Sequence, residues 1–258
     1  SRRARTDAQR HEPTRDEKRK AAAALAALIA SERTARRHLR DAAHAAVTQA
    51  IAHGTTDPHE QAHRAVAALS AGLATAIAAT QRAARDAAHG RLLDEVRDAT
   101  VRPLHVPHGD ARADKVRAAT AAASFAAAWG AASVASLRTG SALTTGAATG
   151  LVTSLAYRLD RIGTTETAHA YNDEHAHGLG FVARVVRRLR LPLLVMKRWD
   201  ASLDERTCRV CAALDGKLAP ALSGFPHGLR PGAVHVNCRC IETTVILPGS
   251  AAAGALLH

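Results

Sequence analysis

The chain has 258 residues, enough for one large domain or two modest ones with separate cores. Hydrophobic residues make up 47% of it but aromatic ones only 3%, which excludes a core built on large rings and favours helices that approach closely through small side chains. Lysine and arginine number 35 against 23 acidic residues, a formal charge of +12; this points to a polyanionic partner, unless the basicity only reflects a general richness in arginine.

Residues Ser1 to Lys20 carry charges of both signs, and the apolar stretch Ala21 to Ala30 is short and alanine-rich, so a secretory signal is not expected there. From about Arg15 to Arg97, residues such as Leu25, Leu28, Leu39, Val47, Leu69, Leu73 and Ile77 recur at helical spacing, which predicts a long hairpin or bundle. Gly54 to Pro58 breaks it, with Asp57 placed to cap a helix whose first residue is Pro58. A second break spans Arg102 to Asp110. Beyond it, Ala118–Leu137 and Thr139–Tyr157 are uncharged and each long enough to span a bilayer. Their alanine, serine, threonine and glycine content is equally that of tightly packed soluble helices, and a buried helical pair is the preferred reading over a membrane crossing.

After Asp160 the texture becomes mixed. Arg161 to His175 is polar, Phe181 to Leu191 alternates apolar residues with arginine, Leu193 to Trp199 reads as a strand leading into a turn, and Ile241 to Leu247 reads as a last strand. The expected fold class is α+β. A mainly α-helical region over 1–157, suited to docking a partner, precedes a small mixed α/β domain over 158–248 with a Cys/His knuckle, and 249–258 is a tail.

The four cysteines lie within one short region, which suits a local metal site better than a disulfide framework and suggests a reducing compartment. Cys208 and Cys211 are separated by two residues, so both sulfurs can face one ion, and a loop returns His235, Cys238 and Cys240. Cys208, Cys211, His235 and Cys238 are the first choice for a structural zinc. Cys240 competes for the fourth place, since an extended Cys238-Arg239-Cys240 would put the two thiols on opposite faces. Buried thiols or a disulfide are the alternatives. Four protein ligands leave zinc no open position, so such an ion would hold the fold rather than react. Arg184, Arg187, Arg188, Arg190, Lys197 and Arg198 form the densest basic run and are the candidate contacts to phosphate.

Around the knuckle stand Lys197-Arg198-Trp199-Asp200-Ala201-Ser202-Leu203-Asp204-Glu205-Arg206-Thr207-Cys208, then Leu214-Asp215-Gly216, Phe225-Pro226 and His235-Val236-Asn237-Cys238-Arg239-Cys240. In this order they resemble the pattern of the Mu F-like phage head morphogenesis proteins. Upstream, Arg161-Ile162-Gly163-Thr164-Thr165-Glu166, continuing through Ala170 and Asn172, resembles the Thr-Glu segment that family places before it. The likeness covers Arg161 to about Val245. It departs from the family before the histidine, where Arg230-Pro231-Gly232-Ala233-Val234 stands in place of a Pro-Pro step.

The motif residues also have direct physical readings. Trp199 is expected as a core anchor rather than a platform for a base, Asp204 as a cap for the turn bearing the first cysteines, and Gly216 as a positive-φ turn residue. Glu166 is expected to pair with an arginine such as Arg206 or Arg239. No nucleophile, phosphate loop or open metal site accompanies Glu166 and Asp204, so enzymatic activity is not expected.

The resemblance implies a minor capsid protein, located in the interior of the virion and in the host cytoplasm during assembly. Its partners would be portal or major capsid protein and, through the basic run, double-stranded DNA. A delivery module of a toxin or effector and a stand-alone zinc-knuckle nucleic-acid binder are the competing expectations.

Overall fold

The computed structural model describes residues 13–52, 57–99, 104–139, 142–205 and 207–248. Five helices come first: α1 Arg15–Ala52, α2 Pro58–Ala99, α3 Arg112–Arg138, α4 Thr145–Ser154 and α5 Ala156–Arg188. A small antiparallel sheet follows, made of β1 Leu193–Asp200, β2 Leu218–Pro220 and β3 Ile241–Pro248, with the short helix α6 Arg209–Leu214 between β1 and β2. A mostly helical amino-terminal region thus leads into a three-stranded sheet that carries the clustered cysteines and histidine. The expected tail, residues 1–12, most of the break before Pro58, and Arg102 and Pro103 in the second break lie outside the described residues.

The helices follow the apolar spacing. In α1, Ala24, Leu28, Glu32, Ala35, Leu39, Ala43 and Val47 are buried, three or four residues apart, and form one stripe. Helix α2 starts where its cap predicts: the Asp57 carboxylate accepts the His59 N–H at 2.9 Å and the Asp57 carbonyl accepts the Gln61 N–H at 3.0 Å. Helix α5 continues as one helix through Arg161–His175 and the apolar and arginine alternation from Phe181, as far as Arg188. It closes with the Leu191 N–H on the Val186 carbonyl and the Arg190 N–H on the Arg187 carbonyl, with Arg190 at φ 51°, a Schellman arrangement built without glycine.

The chain forms two compact units, neither continuous in sequence. One comprises the described residues of Ser1–Ala30, Ala84–Gly109 and Ala168–His258, and the other Ser31–Ala83 and Asp110–Thr167. Helices α1, α2 and α5 each supply a segment to both. A division at residue 157 follows the change of texture along the chain; the compact units are set by which segments pack together, and they cut across it.

The second unit is helical and built on small residues. Leu39, Leu69, Leu73, Phe125, Trp129 and Leu159 share its core with Ala43, Ala65, Ala122 and Ala148. Helices approach closely enough that a Cβ on Gly130 would lie 2.8 Å from Val66 Cγ2. Trp129 donates its indole N–H to the Ala148 carbonyl at 3.2 Å, tying α3 to α4. By length and composition α2 and α3 could each cross a bilayer. The second uncharged stretch, Thr139–Tyr157, does not form one helix: α4 has 10 residues, about 15 Å, half the thickness of a bilayer core.

In the first unit the sheet order is β2-β1-β3, with Met196 opposite Pro220 on one side and Val245 on the other. Every residue of β1 from Val195 to Trp199 is buried, so both faces of the central strand are covered. One core joins Leu92, Val106, Leu179, Val182 and Val195, and another joins Trp199, Cys211, Leu214, Phe225, Cys238 and Cys240.

Candidate metal centre

Cys208 precedes α6 in extended conformation and caps it, its sulfur accepting the Cys211 N–H at 3.3 Å. One turn on, Cys211 points to the same side, which is what the two-residue spacing predicts. The capping expected of Asp204 falls instead to Cys208; Asp204 accepts from the Thr207 hydroxyl at 3.2 Å and pairs with Arg239 at 3.4 Å. Its carboxylate is occupied in holding the loop before the helix to the loop that returns the second cysteine pair.

His235 Nε2 lies 3.6 Å from Cys211 Sγ, and Cys238 Sγ lies 3.8 Å from the same sulfur. The ligand atoms of Cys208, Cys211 and His235 lie within 4.8 Å of one another, as do those of Cys211, Cys238 and Cys240, so Cys211 is common to both triples. The opposite-face placement expected of Cys238 and Cys240 does not occur, because this segment is not extended. Asn237 takes φ 63° and the Cys238 N–H turns back to the His235 carbonyl at 3.1 Å, so both thiols face inward. All four thiols are unlinked.

This buried cluster could hold a metal ion: two distances about Cys211 match a tetrahedral zinc site, while the first-choice four, Cys208, Cys211, His235 and Cys238, are divided between the two triples. Zinc bonded to sulfur at about 2.3 Å and to nitrogen at about 2.0–2.1 Å has tetrahedral edges of about 3.8 Å between sulfurs and about 3.6 Å between sulfur and nitrogen. Those are the distances observed about Cys211. His235 Nδ1 lies 2.8 Å from the Val236 carbonyl, which fixes the proton there and leaves the Nε2 lone pair toward the thiols. The thiols polarise one another: a hydrogen bond from Cys240 draws the Cys238 thiol down to about 5, while burial and the Cys208 thiol push Cys211 up to about 12. Cys240, giving its proton to Cys238, is raised.

Comparison with protein-family models, with curated proteins and with solved structures returns no match.

The remaining motif residues divide by environment. Trp199 is fully buried, edge-on to Phe225 with ring centroids 5.1 Å apart, so it anchors the core and offers no face to a base. Gly216 has φ 73° and donates its N–H to the Trp199 carbonyl at 2.8 Å, while Asp215 accepts the Ala201 N–H at 2.8 Å. Glu166 pairs with an arginine, but this is Arg117, whose Nε lies 3.5 Å away inside the helical unit, and not Arg239; it also accepts from Gln81 at 2.8 Å. Arg206, its other expected partner, lies outside the described residues. Asn172 is the upstream residue that does reach the knuckle: it donates to the Cys240 carbonyl at 3.0 Å and accepts the Glu242 N–H at 3.1 Å. Gly232, at φ 76°, closes against it, since a Cβ there would lie 2.7 Å from Asn172 Nδ2.

The basic run also divides. Arg184, Arg187, Arg188 and Arg190 are exposed, the first three on one face of α5 by their spacing. Lys197 and Arg198 are not available as DNA contacts: both are buried in the central strand. Lys197 sits 3.7 Å from Glu242 and 5.3 Å above the Phe225 ring, and Arg198 bonds Asp200 at 3.0 Å on the opposite face. Sequence reasoning missed the buried chain that receives Lys197. There His175 lies between Glu242 at 3.2 Å and Glu95 at 3.0 Å, and Glu95 in turn pairs with Arg91 at 2.7 Å. Acidic residues so far apart in sequence give no local signal of meeting one histidine.

Proposed function

We propose that this chain is a minor head protein of the Mu F-like class that binds structural zinc at Cys208, Cys211, His235 and the Cys238/Cys240 pair. The observation that carries the reading is that motif elements widely separated in sequence serve one small structure. Trp199 and Phe225 pack with the cysteines, Gly216 and Asp215 fasten the end of β1, and Asn172 clamps the backbone leaving Cys240. Zinc there would hold the knuckle shut, and the chain's own residues set the tautomer of His235 and the direction of the thiols. Arg184, Arg187, Arg188 and Arg190 would face packaged DNA, and the helical region would dock on portal or capsid protein. Five donors are enough to fill four places and leave no open position, which is the reason to assign a structural rather than a reactive centre.

Particles from a producing strain, quantified by mass spectrometry before and after genome ejection, test the virion placement. Low, fixed stoichiometry against the major capsid protein is expected; absence from particles would leave the free zinc-knuckle binder as the better account. On the purified chain, about one tightly held zinc is expected, with loss of thermal stability on chelation. A chain that keeps its stability in chelator has no structural ion.

A further inference from the structure

The outer edge of β3 borders a cavity that neither the knuckle nor the basic face uses. It has a volume of about 170 Å³ and lies within the first unit, between Glu17 and Lys20 of α1, Arg91 and Asp98 of α2, and Thr244 and Ile246 of β3. The register fixes what the strand presents there. The Val195 carbonyl accepts the Ala221 N–H and the Trp199 N–H goes to the Lys217 carbonyl, so the odd residues of β1 turn toward β2. The even ones, Arg198 opposite Thr243 and Met196 opposite Val245, therefore bond to β3, and alternation turns the backbone of Glu242, Thr244 and Ile246 outward. Glu242 donates its N–H to Asn172 at 3.1 Å and Thr244 donates its own to Glu95 at 3.4 Å, whereas the Ile246 N–H has no partner among the described residues.

A second donor lines the same cavity. Arg198 is wholly buried; its Nε is given to Asp200 at 3.0 Å, but its Nη1 has no hydrogen-bond partner among the described residues. The Glu17 carboxylate stands 3.9 Å from that nitrogen, out of hydrogen-bond reach, and the same oxygen accepts the Thr14 N–H at 2.7 Å. An unmatched N–H on a buried guanidinium is costly and calls for an acceptor.

We propose that this cavity binds a monocarboxylate, with the Arg198 guanidinium and the Ile246 amide as its donors. The acids in the wall select the charge of the ligand. Glu95 is tied to Arg91 at 2.7 Å, Asp98 to Lys20 at 2.5 Å and Glu17 to the Thr14 amide, so none is removed from the site, and a doubly charged phosphate monoester would be repelled by all three. A carboxylate brings one charge and two acceptor oxygens, enough for both donors. At about 30 Å³ for each water-sized group the cavity holds roughly five such groups, so the ligand is a small acid or the end of a longer chain. Lys20 and Asp98 are exposed and form the mouth, while Arg198 lies at the floor.

The test is amide NMR of the full chain titrated with butyrate at constant ionic strength, with butyramide as the uncharged control. Saturable movement of the Ile246 signal at millimolar butyrate, absent with butyramide, is expected. The dissociation constant should rise about 10-fold or more in Arg198→Lys, which keeps the charge beside Asp200 and withdraws Nη1. If that variant fails to fold, Ile246→Pro removes the outward N–H at an edge position where proline is tolerated, and should weaken butyrate in the same way. Titration with N-acetyl-alanyl-alanine assigns the source: binding tighter than butyrate means the carboxyl end of a polypeptide lying along the strand edge, and equal or weaker binding means a small free acid. No saturable shift at high millimolar butyrate, an equal response to butyramide, unchanged affinity in Ile246→Pro, or stronger binding of inorganic phosphate overturns the site, whatever the knuckle holds.

Discussion

His175 shows what burial does to a single side chain. It is wholly enclosed, and burial alone would discharge it; Glu95 and Glu242, one at each ring nitrogen, reverse that and raise it to about 8. Thr244 and, through Glu242, Lys197 complete its surroundings. Its folded value lies above the unfolded one of about 6.5. The stability it contributes is therefore complete below that unfolded value and lost as pH rises through 8, on the order of 2 kcal/mol. Urea unfolding at pH 6 and pH 9 should show this fall in the wild type and a smaller one in His175→Gln. Equal falls in both would place the titration elsewhere. Glu95 has the opposite sign: it is held down at about 2, so its share is present above its ordinary value and disappears only in strong acid. Lys197 and Arg198 make the matching point about charge in a strand. Alternation sends them to opposite faces, and with both faces covered each is paired with an acid, Glu242 buried and Asp200 half-buried, so neither reaches solvent.

At the scale of elements, glycine decides where helices meet. On α5 a Cβ at Gly178 would collide with the Leu92 side chain and lie 3.1 Å from Val106 Cγ1. Alanine would favour the helix by about 1 kcal/mol, but overpacking costs about 1–3 kcal/mol, and the Leu92 side chain it would displace is fully buried. Gly178→Ala should therefore lower the melting temperature; an unchanged or raised value would show that Leu92 relaxes freely. The break before α2 was legible because Asp57-Pro58 is a local signal and a cap is a local bond. The continuity of α5 was not. Its Arg161–His175 stretch read only as polar, yet Glu174 and His175 are buried by partners on α2 and β3 that no window of sequence contains.

For the molecule as a whole, the charge of +12 was densest in the sequence over the basic run from Arg184 to Arg198. The structure gives the exposed share of the basic run to Arg184, Arg187, Arg188 and Arg190. If these contact DNA, binding to a duplex should weaken steeply with salt, and replacing all four with glutamine should reduce the slope by about 0.9 for each phosphate no longer neutralised. A quadruple variant with the wild-type slope would remove this face as the DNA-binding surface. The two compact units are also a property of the whole. Composition changes near residue 157, but α1, α2 and α5 each serve both units, and membership depends on which segment faces which core.

What the sequence determined by itself is what depends on neighbours along the chain: the helical periodicity, the cap at Asp57, the positive φ at Gly216, and the spacing that turns Cys208 and Cys211 to one side. The tertiary structure decided the rest. It turned Cys238 and Cys240 inward together, sent Glu166 to Gln81 and Arg117, paired Lys197 with Glu242 and Arg198 with Asp200, and brought His89 and His108 to one carboxylate oxygen of Glu174. The physical reason is that a buried polar group must be satisfied in three dimensions, and the residue that satisfies it is fixed by packing rather than by distance in sequence.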